Sequence, residues 1–185
     1  MKKATYSSIV FIFLVQLAAG QVTQKMKELF HGMPVDSSRK VICQWLKADN
    51  RFREKLSDPV KETYVGLCSE RGLIKSKPDS VLMRLTYGNA MLHENDSLIK
   101  TTIIASNYYF SSLEEAQAEY DKMTSLVKPL AKDSASDSMG DEEAAGEGMY
   151  YNFSEKKSVI NEIDLYVVTC AAGNYGLFIS YTRSE

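Results

Sequence analysis

The spacing of apolar residues changes along the chain and separates a helical part from a sheet part. From residue 21 to residue 72 apolar side chains recur mostly at intervals of three and four. Phe52 and Leu56 keep this spacing, and Asp58-Pro59 joins a helix-capping residue to a proline suited to the first helical position. Helices are therefore predicted throughout the N-terminal third, including one over residues 60–67.

Beyond residue 77 the period changes to two, which is typical of strands. Residues 81–87 alternate apolar and polar side chains, and the β-branched and aromatic stretch 98–110 follows a polar turn. Residues 163–172 are apolar on both faces, as in a central strand. The turn pair Gly173-Asn174 then leads to a last strand around residues 177–181.

One helix is predicted between the two strand pairs. Ser112 and Glu115 form a capping box, and Pro129 ends the helical pattern. The residues expected on its buried face are Leu113, Ala116, Tyr120, Met123 and Val127. The predicted fold is α+β: N-terminal helices followed by β-β-α-β-β, with one helix packed on a face of an antiparallel sheet of four or five strands.

Residues 133–148 contain six acids and no basic residue, among serine, alanine and glycine. Such a composition buries too little apolar surface to offset the entropy lost on ordering. A disordered acidic loop is therefore predicted at about residues 132–148, within a single domain.

The first twenty residues have the three parts of a secretory signal peptide. Met1-Lys2-Lys3 is a short positive region of bacterial style, residues 9–19 are apolar except for Gln16, and small residues precede a cleavage point after Gly20. Cleavage would leave a mature domain of residues 21–185, periplasmic or secreted. A retained membrane anchor is the alternative, because residues 4–24 are uncharged.

The composition is that of an ordinary soluble domain, with 44% hydrophobic and 25% charged residues. The net charge of −2 offers no basic excess for nucleic acid, and no stable membrane insertion is expected once the leader is removed. Export makes a disulfide between Cys43 and Cys68 possible, with buried free thiols as the alternative.

Motifs for catalysis and metal binding are missing. The chain has two histidines, His31 and His93, and neither has a second ligand at helical spacing. A thiol enzyme built on Cys170 is disfavoured, because burial in an apolar strand raises a thiol pKa. We therefore assign no catalytic residue, cofactor or metal. The sequence pattern singles out no carboxylate pair for hydrolysis, and it does not exclude one.

Two aromatic clusters offer candidate contacts for a partner. They contain Tyr108, Tyr109, Tyr150 and Tyr151. Neighbouring residues of a strand point to opposite faces, so Tyr109 should point away from Tyr108, and cross-strand packing is the alternative role for these rings. The sequence favours an exported, non-catalytic binding or accessory module with an envelope or protein partner. A self-associating envelope component and an exported hydrolase are the alternatives.

Overall fold

The computed structural model describes residues 24–57, 61–66, 80–91, 98–140, 144–154 and 160–184. The leader, His93 and Cys68 lie outside these ranges, so the expectations placed on them stay predictions. Within the described ranges, no helix has the length and apolar character needed to cross a bilayer.

Three α-helices occur in the described ranges. Helix α1 covers residues 24–29, α2 runs over Arg39–Ala48 and α3 over Leu113–Val127. Of the predicted capping box, the N-cap contact of Ser112 is confirmed, because Ser112 Oγ accepts a hydrogen bond from the Glu115 amide at 3.4 Å. A single 3₁₀ turn at Lys128–Leu130 follows α3, where proline disfavours continuation of the helix.

Within the described part of the chain, eight strands form one antiparallel sheet. The strands are β1 (Phe52–Ser57), β2 (Lys61–Gly66), β3 (Ser80–Met91), β4 (Leu98–Phe110), β5 (Asp133–Gly140), β6 (Ala144–Asn152), β7 (Asn161–Cys170) and β8 (Tyr175–Ser184). Their order across the sheet is β1-β2-β3-β4-β8-β7-β6-β5.

This order shows a structural duplication. Each half consists of one helix followed by four consecutive antiparallel strands: α2 with β1 to β4, and α3 with β5 to β8. The halves join through their last strands, and β4 pairs antiparallel with β8 from Thr101↔Ser184 to Phe110↔Tyr175. A half-turn about an axis perpendicular to the sheet therefore relates the two halves approximately, and both helices lie on one face.

The core fills the space between the helices and that face. Its fully buried members include Phe30 and Ile42 from the N-terminal segment, Met123 from α3, and Ile104 and Leu165 from the sheet. Helix α3 lies across β4, β7 and β8. The α+β class, the antiparallel sheet and the helix packed on one face are thus confirmed.

The strand count differs from the prediction in two places. Residues 52–57 and 61–66 were expected to be helical, yet they form β1 and β2. Strand β2 has a β-branched and aromatic centre, Thr63-Tyr64-Val65, and pairs with β3 along its full length. Pairing with a neighbouring strand outweighs weak helical spacing here.

The acidic segment is the second place. Residues 133–140 and 144–152 form the hairpin of β5 and β6 instead of a disordered loop. Strand β5 lies at the edge of the sheet and its side chains remain largely exposed. Backbone hydrogen bonds to β6 order it without burial of its carboxylates, which a composition argument cannot foresee.

Candidate ligand-binding pocket

The sheet face turned away from the helices carries a cavity. We call this side the open face; its side chains alternate along each strand with those of the helix-side core. The cavity has a volume of about 440 Å³ and is lined by residues of strands β3 to β8 and of the turn 171–174. Pockets for small molecules fall in the range of about 300–1,000 Å³, so this one is large enough for a ligand.

Glycine in β6 shapes one wall of this cavity. A Cβ atom added at Gly148 would lie 2.0 Å from the carbonyl oxygen of Leu165 and 2.7 Å from Cδ1 of Tyr166. Strand β7 therefore leaves no space for a side chain at Gly148. The same crowding occurs at Gly146, where a Cβ would lie 1.9 Å from the Val167 carbonyl oxygen.

Tyr166 uses the space that Gly148 leaves. In the sheet register Tyr166 is opposite Gly148, and Gly148 is opposite Asp137. The Tyr166 hydroxyl passes over β6 and donates a 2.6 Å hydrogen bond to Asp137 Oδ2. This bond lowers the pKa of Asp137, while burial raises the pKa of Tyr166. The bond ties β5 to β7 and places Met139 of β5 in the cavity wall.

The rest of the lining is mainly aromatic and small. The rings of Tyr109 and Phe178 meet edge to face with centroids 5.7 Å apart. Ala144 and Cys170 are buried beside Tyr166, at the end of the cavity near the turn 171–174, which we call the far end. Burial raises the pKa of the Cys170 thiol, as the sequence predicted, so this group lacks the thiolate character of a nucleophile.

Two polar side chains converge on the same cavity from neighbouring strands. Asn107 is only 4% exposed and lines the cavity, yet within the described ranges its side-chain amide makes no hydrogen bond. Arg84 is half-buried and also lines it, and no described carboxylate forms an ion pair with its guanidinium. Leu82 is the register partner of Asn107 and Ala105 that of Arg84, so the two polar residues are diagonal neighbours on one face.

The carboxyl group of Asp164 lies in the same cross-strand row as Arg84. The register joins Arg84 to Ala105, Ala105 to Ser180, and Ser180 to Asp164. Asp164 accepts a 2.6 Å hydrogen bond from Ser180 Oγ, and burial raises its pKa. Three strand spacings, about 14 Å between Cα atoms, separate Asp164 from Arg84.

The structure divides the four candidate tyrosines between the two faces. Tyr108 and Tyr151 are fully buried in the helix-side core, where the Tyr108 hydroxyl and His31 Nε2 are 2.8 Å apart. Tyr109 and Tyr150 are half-buried on the open face. The expected opposition of Tyr108 and Tyr109 is confirmed, and of the four only Tyr109 lines the cavity.

The sequence did not single out Arg84 or Asn107. Arg84 occupies a polar position in a strand of alternating polar and apolar residues, and this pattern predicts a side chain that faces solvent. Asn107 lies in a stretch identified by its β-branched and aromatic residues. The only available indication was the position of an amide in the interior of a strand that is rich in β-branched and aromatic residues.

Comparisons with known proteins provide no assignment. The chain matches no family model, no curated protein and no solved structure. Within the described part of the chain, no group of three histidine, cysteine, aspartate or glutamate side chains is placed to hold a metal ion. The geometry of the open face is therefore the basis for a functional assignment.

Proposed function

We propose that this protein is a non-catalytic binding protein whose cavity on the open face takes up a small, largely apolar molecule. The proposal rests on an aromatic cavity of about 440 Å³. Its lining includes Asn107, which is almost fully buried and whose side-chain amide makes no hydrogen bond within the described ranges. A ligand that covers this amide must supply a hydrogen-bond partner, because a buried polar group without a partner costs about 1–3 kcal/mol. Few polar groups in an apolar cavity are typical of ligand sites.

The chemistry of the lining supports binding more than catalysis. The Cys170 thiol at one end of the cavity has a raised pKa. Asp164, whose pKa burial also raises, accepts a hydrogen bond from Ser180 and is not among the described residues of the lining. General acid–base work requires a titrating group within hydrogen-bond reach of a reacting atom. The described lining offers Arg84, Asn107 and tyrosines, which bind and orient.

Binding is tested with a neutral fluorescent probe, N-phenyl-1-naphthylamine, added to the purified chain. We expect saturable binding at one site with enhanced emission. Ala172 is exposed in the turn that forms part of the lining, so Ala172→Trp should fill the mouth of the cavity and weaken probe binding at least about tenfold.

The matched control is Ala48→Trp at the end of α2, on the helix side of the sheet, which should bind the probe as the unaltered chain does. Circular dichroism confirms that both variants fold. Equal binding by the two variants, or no saturable binding by the unaltered chain, would contradict the proposal.

The same proposal includes export, since the leader is the strongest feature of the sequence. The first residue of the protein recovered from the periplasm or medium should be Gln21. N-terminal sequencing of that fraction checks this. Intact chain that begins at Met1 and is dissolved in the cytosol would contradict export.

A further inference from the structure

We infer that the ligand is a single-chain amphiphile with an anionic head, bound with its head at Arg84 and Asn107 and its chain directed toward Cys170. This inference rests on the proposed function and adds the class and orientation of the ligand. It is carried by the position of Arg84, the one charged residue among the described residues of the lining, at one end of the cavity.

The two ends of the cavity differ in chemistry. At one end Arg84, Asn107 and Ser180 approach the cavity from three adjacent strands. At the other end the lining consists of Met139, Ala144, Cys170 and the turn 171–174, which contributes two alanines and Asn174, whose buried Oδ1 accepts no hydrogen bond within the described ranges. A uniformly apolar ligand would leave the guanidinium and the amide without partners, which buried polar groups rarely tolerate.

The dimensions suit one hydrocarbon chain. Ser180 lies at the same level of the sheet as Arg84, because Ala105 pairs with both of them. Asn174 lies at the level of Cys170, whose amide donates a 2.9 Å hydrogen bond to the Asn174 carbonyl oxygen. Six residues of an antiparallel strand separate these levels, a distance of about 20 Å. A cavity of about 440 Å³ that extends over about 20 Å is elongated, as a single extended hydrocarbon chain requires.

The charge of the head follows from Arg84. Its guanidinium keeps a full positive charge and presents donors in a planar fork that matches a carboxylate or a phosphate. The adjacent Asn107 amide can donate a further hydrogen bond to the same oxygens. The nearest carboxyl in its row, Asp164, is about 14 Å away between Cα atoms and is held by Ser180. A positive end within a protein of net charge −2 selects an anion by local contact and not by the overall field.

The test compares four ligands with one ten-carbon chain: decanoate, decyl phosphate, decanol and decyltrimethylammonium, each below its micelle concentration. Calorimetry should show at least one of the two anions binding about tenfold or more tightly than decanol, with the ammonium compound weakest. The stronger of the anions indicates whether the head resembles that of a fatty acid or of a lysophospholipid.

A variant pair separates the head contact from general stability. Arg84→Gln should weaken binding of the preferred anion about 10- to 100-fold and leave decanol within about twofold, as expected for loss of a charged hydrogen bond. Lys47→Gln, which removes an exposed positive charge on α2, should change neither.

The outcomes distinguish this inference from the proposed function. Equal affinity for decanol and both anions, or an Arg84→Gln variant that loses all four ligands equally, overturns the anionic head while binding in the cavity stands. Absence of binding by all four ligands and by the neutral probe overturns both.

Discussion

Gly148 provides the sharpest structural prediction, because the cavity wall depends on the absence of a side chain there. An alanine Cβ at this position would lie 2.0 Å from the Leu165 carbonyl oxygen and 2.7 Å from the Tyr166 ring. The first distance is more than 1 Å inside ordinary contact, and backbone atoms cannot rotate away. Strand β6 must then move away from β7, which also displaces Tyr166 from Asp137.

Overpacking of this kind costs about 1–3 kcal/mol. For a domain of this size, 1 kcal/mol corresponds to about 2–4 °C in Tm, so Gly148→Ala should lower Tm by about 2–12 °C. Gly140 is the matched control: it ends β5, and a Cβ there meets nothing within 4 Å. Gly140→Ala should be neutral or raise stability by about 0.5 kcal/mol, because alanine loses less backbone entropy on folding.

Urea titration followed by circular dichroism measures both variants, with calorimetric scans for Tm. Opposite signs for the two substitutions are expected, and Gly148→Ala should also weaken binding of the neutral probe. Equal stability of the two variants would refute the close approach of β6 to β7 and, with it, the origin of the cavity wall.

Three further substitutions test separate parts of the structure by urea titration. Burial raises the pKa of Asp164 above its ordinary 3.8, so ionisation of this group above that pH lowers the stability of the native state. Asp164→Asn should therefore be more stable than the unaltered chain at pH 7. This gain should vanish near pH 3, where the Asp164 carboxyl is protonated in both the folded and the unfolded state. Tyr108→Phe removes a buried hydrogen bond and should cost about 1–3 kcal/mol, whereas Tyr109→Phe, on the open face, should cost less than about 0.5 kcal/mol. Ser112→Ala should cost about 1 kcal/mol through loss of the α3 cap, and the exposed neighbour Ser111→Ala should be neutral; a similar loss in both members of either pair would contradict the assigned contacts.

Local chemistry made part of the fold predictable. The α3 helix follows from its cap, its apolar spacing and Pro129, and the structure buries Ala116, Met123 and Val127 as expected. Leu113 is the exception: it was expected on the buried face but is 47% exposed, while Glu119 is buried. The first turn of a helix extends past the core, so helical spacing alone does not fix burial there.

The duplication and the outer strands depend on long-range pairing. Strands β1 and β2 have ambiguous spacing; β2 becomes a strand because it pairs with β3, and β1 because it pairs with β2. Strand β5 has little apolar surface apart from Met139 and is ordered by its pairing with β6. Sequence periodicity indicates which side chains of one segment can be buried. The strand conformation of these segments depends instead on the sheet edge with which each of them pairs.

The cavity was the hardest feature to predict. Its wall depends on two glycines in β6, which within the acidic segment resembled loop residues. Its polar end depends on Arg84 and Asn107 lying on adjacent strands in a register that only the folded sheet defines. Tyr109 was identified because alternation along a strand is a local property, and it separates Tyr109 from Tyr108 without any knowledge of the sheet.

Methionine methyl groups allow the most direct test of the central claim that the open face binds the ligand. The chain contains eight methionines; Met139 lines the cavity, whereas Met123 is fully buried on the helix side. In a titration of ¹³C-methyl-methionine-labelled protein with decanoate, the Met139 resonance should shift to saturation and the Met123 resonance should stay in place. A shift of Met123 with Met139 unmoved, or no shift of either, would contradict binding on the open face.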